Sequence, residues 1–174
     1  MYAYSGVLSA LFRRERTGEG SHVEVSMLEA LGEWMGFPYF YAAYGGTAPR
    51  RTGARHAAIA PYGPFRTGTE EVFLAVQNDR EWRALCEKVL DRPDLAADPS
   101  LATNSRRVEH GERVRAAVED AFADRRADRV EELLDTAGIA NARLRDMIGF
   151  AEHPQLAARD RWREVPSPAG PLRT

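Results

Sequence analysis

Residues 62–86 read YGPFRTGTEEVFLAVQNDREWRALC and predict a β-hairpin followed at once by a helix. Two strand-like runs, Tyr62 to Thr67 and Val72 to Gln77, flank Gly68, and glycine is typical of a hairpin turn. The helix after the second run carries apolar residues at helical spacing. These residues are Trp82, Leu85, Cys86 and Val89. The apolar face indicates that this helix packs on a hydrophobic core.

Apolar spacing predicts two more helices after this stretch, one near Arg106 to Ala123 and one near Asp128 to Ala137. Asp91 to Asn104, which is polar and contains prolines, is interpreted as the connection that precedes them. The residues expected to face inward are Val114, Val118 and Phe122 in the first helix, and Val130, Leu133 and Leu134 in the second.

The remaining C-terminal residues predict less regular structure. Ile139 to Arg145 is expected to return as a strand, and Met147 to Arg161 is expected to be mostly helical. Val165 to Thr174 has three prolines and no anchoring apolar pattern, so we interpret it as a linker.

The residues before the hairpin predict helix, strand and helix. A helix is expected from Met1 to Arg14, but Met1 and Tyr2 begin inside its apolar pattern without a capping residue, so we expect the natural start to lie upstream. Val23 to Val25 alternates as a short strand, and Met27 opens a second helix that Pro38 should kink or end.

The composition is that of a globular protein without general affinity for anions. Of the 174 residues, 44% are hydrophobic and 29% are charged, and the net charge is −2. This balance argues against nucleic acid as a partner, so an anionic ligand would need a local cationic cluster. The single cysteine excludes an internal disulfide, and no run approaches the ~20 apolar residues of a membrane span. We expect a cytoplasmic protein with no membrane segment.

Common cofactor and metal patterns are absent from the sequence. The four histidines are too far apart for a metal site, and neither GxGxxG nor GxxxxGK[ST] occurs. Cys86 lies on the apolar face of its helix, where a thiol behaves as a small buried hydrophobic group. We therefore expect no bound metal and no nucleophilic role for Cys86.

Two polar features are candidates for a binding site. Residues 49–56 read PRRTGARH, a basic loop whose glycine lets backbone N–H groups approach a phosphate-bearing or acyl ligand. A solvated basic linker would have the same composition. Gln77, Asn78 and Asp79 lie where a strand meets a helix, a place where polar side chains often face a cleft. Alternatively, Asp79 is simply the N-cap of that helix.

Five stretches together resemble the class III CoA-transferases, also called the carnitine and bile-acid CoA-transferase family. They occur in the family's order, with its spacings, over essentially the whole chain. They read LFRRERTGEGSHVEVSMLEAL, RRTGARHAAIAPYGPF, VFLAVQNDREWRALC, IANARLRD and HPQLAARD.

The resemblance implies an α/β plus α+β fold, with a large Rossmann-like domain, a small α+β domain, and two interlocked subunits. Residues 1–44 would then be the end of the first half of the large domain, a helix, strand and helix. Residues 45–61 would be a linker and active-site loop, residues 62–145 the small α+β domain, and residues 146–174 the returning linker. A homodimer or higher oligomer is expected.

The same resemblance implies an enzyme that moves CoA between carboxylic acids. In that family an aspartate attacks the acyl-CoA thioester, and the reaction passes through anhydride and aspartyl-CoA intermediates. The position of this aspartate falls upstream of Met1. The family's strands that bind the adenine and most of the CoA diphosphate also fall upstream. The chain is therefore expected to be a fragment or the product of an internal start, with no catalytic residue of its own. No covalently bound cofactor is implied, since the CoA thioester is the substrate.

Two alternatives stay open at this stage. An α-methylacyl-CoA racemase branch shares the fold but uses an upstream histidine and aspartate. The chain could also be a non-catalytic assembly partner that completes a site on another polypeptide.

Residues expected to bind substrate or CoA are carried over from the family by position. Met27 matches a residue near the CoA arm. The family's loop over the active site corresponds to Gly53, Ala54, Arg55 and His56. The family's turn that faces the same cleft corresponds to Gln77, Asn78 and Asp79. Oxalate and formate enzymes have a run of glycines in that loop. Arg55 and His56 instead favour a larger or anionic acyl group, as in succinyl, malyl or mesaconyl transferases.

Overall fold

The computed structural model describes residues 1–174 and divides into two compact units. The first comprises Met1–Arg51 and the second Thr52–Thr174. The division falls within the irregular segment between residues 45 and 61, which contains no helix or strand between Gly46 and Pro61. Each unit is described by itself.

The first unit is entirely helical where it is regular. It contains α1 (Tyr2–Thr17), α2 (Met27–Gly32), a 3₁₀ turn (Glu33–Met35) and α3 (Gly36–Gly45). No side chain caps the start of α1, whereas at its end the Gly18 N–H donates to the Arg14 carbonyl over 2.8 Å, with φ of 74° at Gly18. That left-handed conformation suits glycine because it has no Cβ.

The predicted strand at Val23 to Val25 is wrong, because these residues form no strand. No neighbouring segment of the unit offers them a ladder of hydrogen bonds, and a strand depends on such a partner. Val23 instead lies against Gly6 of α1, where an added Cβ would come within 2.8 Å of the valine Cγ1.

The second predicted helix is interrupted slightly earlier than expected. The break is the 3₁₀ turn Glu33–Met35, and Pro38 lies in the first turn of α3, where a missing N–H costs no intrahelical bond. The aromatic run from Tyr39 to Tyr44 therefore lies within a helix rather than after one.

The second unit is built on a three-stranded antiparallel sheet of order β1-β2-β3. β1 is Tyr62–Arg66, β2 is Glu71–Ala75 and β3 is Ala140–Arg143, which confirms the predicted hairpin and returning strand to within two residues at each end. In the hairpin Tyr62 pairs with Ala75. β3 pairs with β2 along its whole length, so β2 is the central strand.

Helices cover this sheet and enclose its core. In chain order they are α4 (Asp79–Ala84), a π-helical turn (Leu85–Val89), α5 (Pro93–Ala97), α6 (Asn104–Glu109), α7 (Gly111–Phe122) and α8 (Ala127–Ala137). The core residues include Val72, Leu74, Trp82, Leu85, Val114, Val118, Phe122, Val130 and Leu134. Most of the residues predicted to face inward are thus buried, and Leu133 is partly buried against them.

Two sequence-based boundaries differ from the structure. The helix predicted from Arg106 to Ala123 is two helices that meet at His110, whose ψ of 28° breaks the helical path. The predicted polar connection before it contains α5 and a 3₁₀ turn that bury Leu95 and Leu101. Two isolated leucines in a polar segment show no periodicity, so their burial was not predictable from spacing.

The C-terminal residues form α9 (Met147–Ala151), α10 (Pro154–Ala158) and a short antiparallel pair, β4 (Glu164–Val165) with β5 (Leu172–Arg173). The helices confirm the helical prediction for this region, whereas the β4–β5 pair was not expected. None of the helices combines the length and the hydropathy that a membrane-spanning segment needs.

Candidate functional site

The loop Gly53–His56 lies on the beginning of β1. The His56 N–H donates to the Tyr62 carbonyl over 3.2 Å, and Gly53 adopts a positive φ of 63°. Gly63 has φ of 146°, and an added Cβ there would lie 3.0 Å from the Arg55 Cγ and 3.2 Å from its Cα. Glycine at position 63 therefore allows the loop to pack directly on the strand.

The His56 ring is half-buried and held by its own loop. Its Nδ1 accepts a hydrogen bond from the Ala58 N–H over 3.0 Å, and its ring centroid lies 5.1 Å from that of Tyr62. An Nδ1 that accepts a backbone proton places the proton of the neutral ring on Nε2. The loop thus presents an imidazole of defined tautomer.

Arg55 forms an ion pair with Glu112 at the start of α7. The Arg55 Nη1 and the Glu112 Oε1 are 3.0 Å apart, and the two side chains are 47% and 85% exposed. Exposed pairs of this kind contribute ~0 to 1 kcal/mol, so an anionic ligand could displace Glu112 at little cost.

Asp79 is the first residue of α4, Gln77 and Asn78 precede the helix, and the capping residue is Asn78 rather than Asp79. The Asn78 Oδ1 accepts from the Glu81 N–H over 3.0 Å, and one Glu81 carboxylate oxygen accepts from the Gln77 N–H over 2.7 Å. Asparagine therefore forms a capping arrangement with the glutamate three residues later. This leaves the Asp79 side chain available for another contact.

Arg107 makes that contact from inside the core. Its side chain is 1% exposed, and its Nη2 donates to the Asp79 Oδ1 over 2.8 Å. Its Nε and Nη1 donate over 3.0 Å each to the carbonyls of Ala60 and Leu101. A buried guanidinium requires such partners because an unpaired buried charge is costly.

The loop Gly53–His56 and the turn Gln77–Asp79 lie at the same end of the hairpin. Tyr62, on which the loop rests, pairs with Ala75, two residues before Gln77. Arg107 joins the two sides through Ala60 and Asp79. The structure thus places the predicted binding residues of the second unit at one end of the hairpin.

Met27 belongs to the other unit. It is the first residue of α2, 76% of its side chain is exposed, and Ser26 caps the helix before it by accepting the Glu29 N–H over 3.3 Å. Its placement near CoA stays a prediction.

Sequence analysis missed Arg107 and Asn104, which both contact the segment leading from the loop to β1. Neither residue lies in a recognisable motif. The one available signal was the helical spacing of Arg107. It lies seven residues before Val114, a spacing that places both residues on the same face of a helix, where an apolar residue would be expected.

The second unit also contains a buried cysteine and a cleft. Cys86 is buried, as its place on the apolar face of its helix predicted, and burial raises the pKa of its thiol to about 12. A cleft of about 520 Å³ lies at the turn end of the hairpin, opposite the candidate residues. Its lining comprises Glu70, Glu71, Leu144, Arg145, Asp146 and Gly149.

Comparison with known proteins identifies the family. The family model described as CoA-transferase family III matches residues 1–174, the whole chain. The chain belongs to CoA-transferase family III. Its membership confirms the resemblance found in the sequence, including the expected combination of α/β and α+β structure.

Curated relatives in the family include transferases with named acids. The chain is 32% identical over 160 residues to an acetyl-CoA:oxalate CoA-transferase of Acetobacter aceti, covering 92% of this chain and 41% of the relative. It is 29% identical over 163 residues to a succinyl-CoA:mesaconate CoA-transferase of Haloarcula hispanica, covering 94% of this chain and 40% of that protein.

Solved structures share the fold. A CAIB/BAIF family protein from Brucella suis is 29% identical with a TM-score of 0.75, and the match covers 97% of this chain and 44% of that one. The Mycobacterium tuberculosis protein Rv3272 gives a TM-score of 0.78 at 23% identity, over 98% of this chain and 44% of that one. The chain thus spans about two fifths of the length of the proteins it matches.

Proposed function

We propose that this chain forms the acyl-facing part of an enzyme that transfers CoA between carboxylic acids. Its membership of CoA-transferase family III supports the reaction class. The chain would act in the cytoplasm on an acyl-CoA and a carboxylic-acid acceptor, as part of a homodimer or higher oligomer. CoA enters and leaves as a thioester, so it is a substrate rather than a bound cofactor.

We further propose that the acid is a dicarboxylate. The acids named second in the relatives' names are oxalate, mesaconate and glutarate, and all three are dicarboxylic acids, although the first of these relatives also uses acetyl-CoA. Arg55 is the observation that carries this proposal, because its partly exposed guanidinium is held only by an exposed glutamate. A guanidinium binds the second carboxylate of such an acid through paired N–H donors.

In the proposed reaction Arg55 and His56 position the substrate and form no covalent bond with it. A nucleophilic aspartate, which the resemblance places before Met1, would attack the thioester carbonyl, and CoA would leave as the thiolate. The thiolate would attack the aspartyl carbonyl of the mixed anhydride so formed, which gives aspartyl-CoA and releases the donor acid. The acceptor carboxylate would then attack aspartyl-CoA and displace the thiolate, and the thiolate would attack the acceptor's carbonyl in this second anhydride to form the new thioester and free the aspartate. Arg55 would hold the remote carboxylate, and the His56 ring would lie at the acyl end.

The test is the substitution Arg55→Ala in the protein encoded by the complete reading frame that contains these residues. We expect kcat/KM for a dicarboxylate acceptor to fall about ten-fold to a hundred-fold, because in the proposed complex the bound substrate shields Arg55 from water, and a shielded arginine–carboxylate contact contributes roughly 1.5 to 3 kcal/mol. A monocarboxylate acceptor should change by less than about two-fold. Steady-state kinetics with succinate and with acetate as acceptors measure both.

Arg129→Ala is the matched control. Arg129 is an exposed arginine on α8 that pairs with Glu132 over 2.9 Å, and it lies outside the candidate site. It should leave both acceptors unaffected. Equal, small effects of Arg55→Ala on both acids would instead identify residues 49–56 as a solvated linker.

A further inference from the structure

The side chain of Asn104 is bonded to the segment that joins the candidate loop to β1. Its Oδ1 accepts from the Ala60 N–H over 3.1 Å, and its Nδ2 donates to the Ala58 carbonyl over 2.8 Å. One primary amide thus satisfies a backbone donor and a backbone acceptor two residues apart. Such a paired contact fixes the path of the segment more tightly than a single bond.

Ala58 passes this restraint to the candidate site. While its carbonyl accepts from Asn104, its N–H donates to the His56 Nδ1 over 3.0 Å. Because the amide holds the carbonyl of Ala58, it restrains the backbone at that residue and so limits the directions in which the N–H can point. Asn104 therefore acts on the His56 ring through one intervening residue.

Arg107 holds the same segment one helical turn later. Its Nε donates to the Ala60 carbonyl, so Ala60 is bonded through its N–H to Asn104 and through its carbonyl to Arg107. The Arg107 Nη2 also binds Asp79. α6 therefore presents two polar side chains, three residues apart, that together restrain both parts of the candidate site.

We propose that Asn104 is a positioning residue that holds the His56 imidazole in place for the acyl substrate, with Arg107 anchoring the same segment to α4. This role rests on the proposed function, since it assumes that His56 faces the acyl group. Asn104 itself touches only backbone of the segment, so it acts through Ala58 rather than on the substrate.

The direct test is Asn104→Asp in the 174-residue chain. The carboxylate still accepts from the Ala60 N–H but no longer donates to the Ala58 carbonyl, so the segment loses one of its two bonds while the volume is kept. We expect hydrogen exchange at the Ala58 amide to accelerate at least about ten-fold. We also expect the ¹⁵N signals of the His56 ring to shift, because Nδ1 loses a fixed hydrogen-bond donor in the Ala58 N–H.

Ser105→Ala is the control, because Ser105 is an exposed neighbour on α6. It should alter neither the Ala58 exchange nor the ring signals. If Asn104→Asp also leaves both unchanged, Asn104 does not position His56 and the proposal fails. Asn104→Ala, which removes both bonds, should produce the larger change in exchange.

Kinetics of the complete enzyme then separate positioning from simple support of the fold. Asn104→Asp should lower kcat for the acceptor about ten-fold while the KM for acyl-CoA stays within about two-fold. Faster exchange with unchanged transfer would overturn the positioning role and leave Asn104 as a loop anchor. Absence of transfer in the wild-type enzyme would instead refute the proposed function, while the exchange and ring signals would still decide whether Asn104 orders His56.

Discussion

Gly63 is the residue at which the candidate loop and the sheet meet most closely. Its φ of 146° lies in a region that side chains rarely adopt, and the backbone of Arg55 lies 3.2 Å from the position of an added Cβ. A larger residue at position 63 would both strain the backbone of β1 and displace the loop. Backbone cannot move aside as a flexible side chain can.

We predict that Gly63→Ala lowers the free energy of unfolding by about 1 to 3 kcal/mol. It should also reduce the exchange protection of the His56 amide, which donates to Tyr62 beside it. Urea denaturation and hydrogen exchange measure the two effects. Gly111→Ala is the control, because Gly111 begins α7 with open space around it and should be neutral or slightly stabilising. Equal unfolding midpoints for both variants would contradict the prediction.

Among the elements, the 3₁₀ turn Pro99–Leu101 depends on Asp98. The Asp98 carboxylate accepts from the Ser100 hydroxyl and N–H, and its other oxygen lies 2.6 Å from the Arg113 Nη2 on α7. These contacts hold the pKa of Asp98 at about 2, with the Ser100 bonds as the largest cause. The charged carboxylate therefore joins the turn that buries Leu101 to α7.

The low pKa of Asp98 predicts how stability depends on pH. Because the folded pKa of about 2 lies below the ordinary value of about 3.9, the contribution is present above pH ~4 and is lost as the pH falls toward 2. Asp98→Asn should therefore lower the urea midpoint at neutral pH, and the two midpoints should converge near pH 2. Asp124→Asn, at an exposed position, is the control and should leave the midpoint at neutral pH unchanged. A constant difference between wild type and Asp98→Asn from pH 7 to 2 would contradict this.

At the scale of the whole molecule, the first unit lacks a buried core. None of the residues in α1, α2 or α3 is buried, and the exposed side chains include Leu28 at 83%, Trp34 at 77% and Tyr44 at 78%. An apolar surface of this extent is typical of an interface. The two relatives compared above are more than twice as long as this chain.

We predict that the 174-residue chain self-associates at micromolar concentration. Burial of the apolar helices supplies the free energy, since removing apolar surface from water contributes roughly 25 cal/mol per Å². Sedimentation velocity should show species larger than a monomer. Leu28→Glu combined with Trp34→Glu should shift the distribution toward monomer, whereas Glu15→Gln on the exposed surface should not. A wild-type chain that sediments as a monomer over this range would contradict the prediction.

We also predict that the chain alone does not transfer CoA. The resemblance places the nucleophilic aspartate before Met1, and losing a nucleophile typically lowers the rate by several orders of magnitude. An assay with acetyl-CoA and oxalate, or succinyl-CoA and mesaconate, should give only the uncatalysed background. Transfer by the purified chain above that background would show that its own residues carry the chemistry.

What the sequence determined by itself was local. The hairpin, the apolar faces of α7 and α8, the returning strand and the buried Cys86 were all predictable, because strand alternation and helical spacing are written in neighbouring residues. The family could also be identified, since its stretches occur in order along the chain.

The tertiary structure alone decided which polar residues complete the site. Asn104 reaches Ala58 across 46 positions, and Arg107 reaches Ala60 across 47. The sequence alone left open whether Asp79 is the N-cap of α4. In the structure Asn78 is the cap, and the Asp79 carboxylate accepts a hydrogen bond from Arg107. Sequence periodicity does not show which residues far apart in the chain form hydrogen bonds with each other. The buried Arg107 guanidinium is stable only because distant segments bring carbonyl and carboxylate oxygens within reach of it.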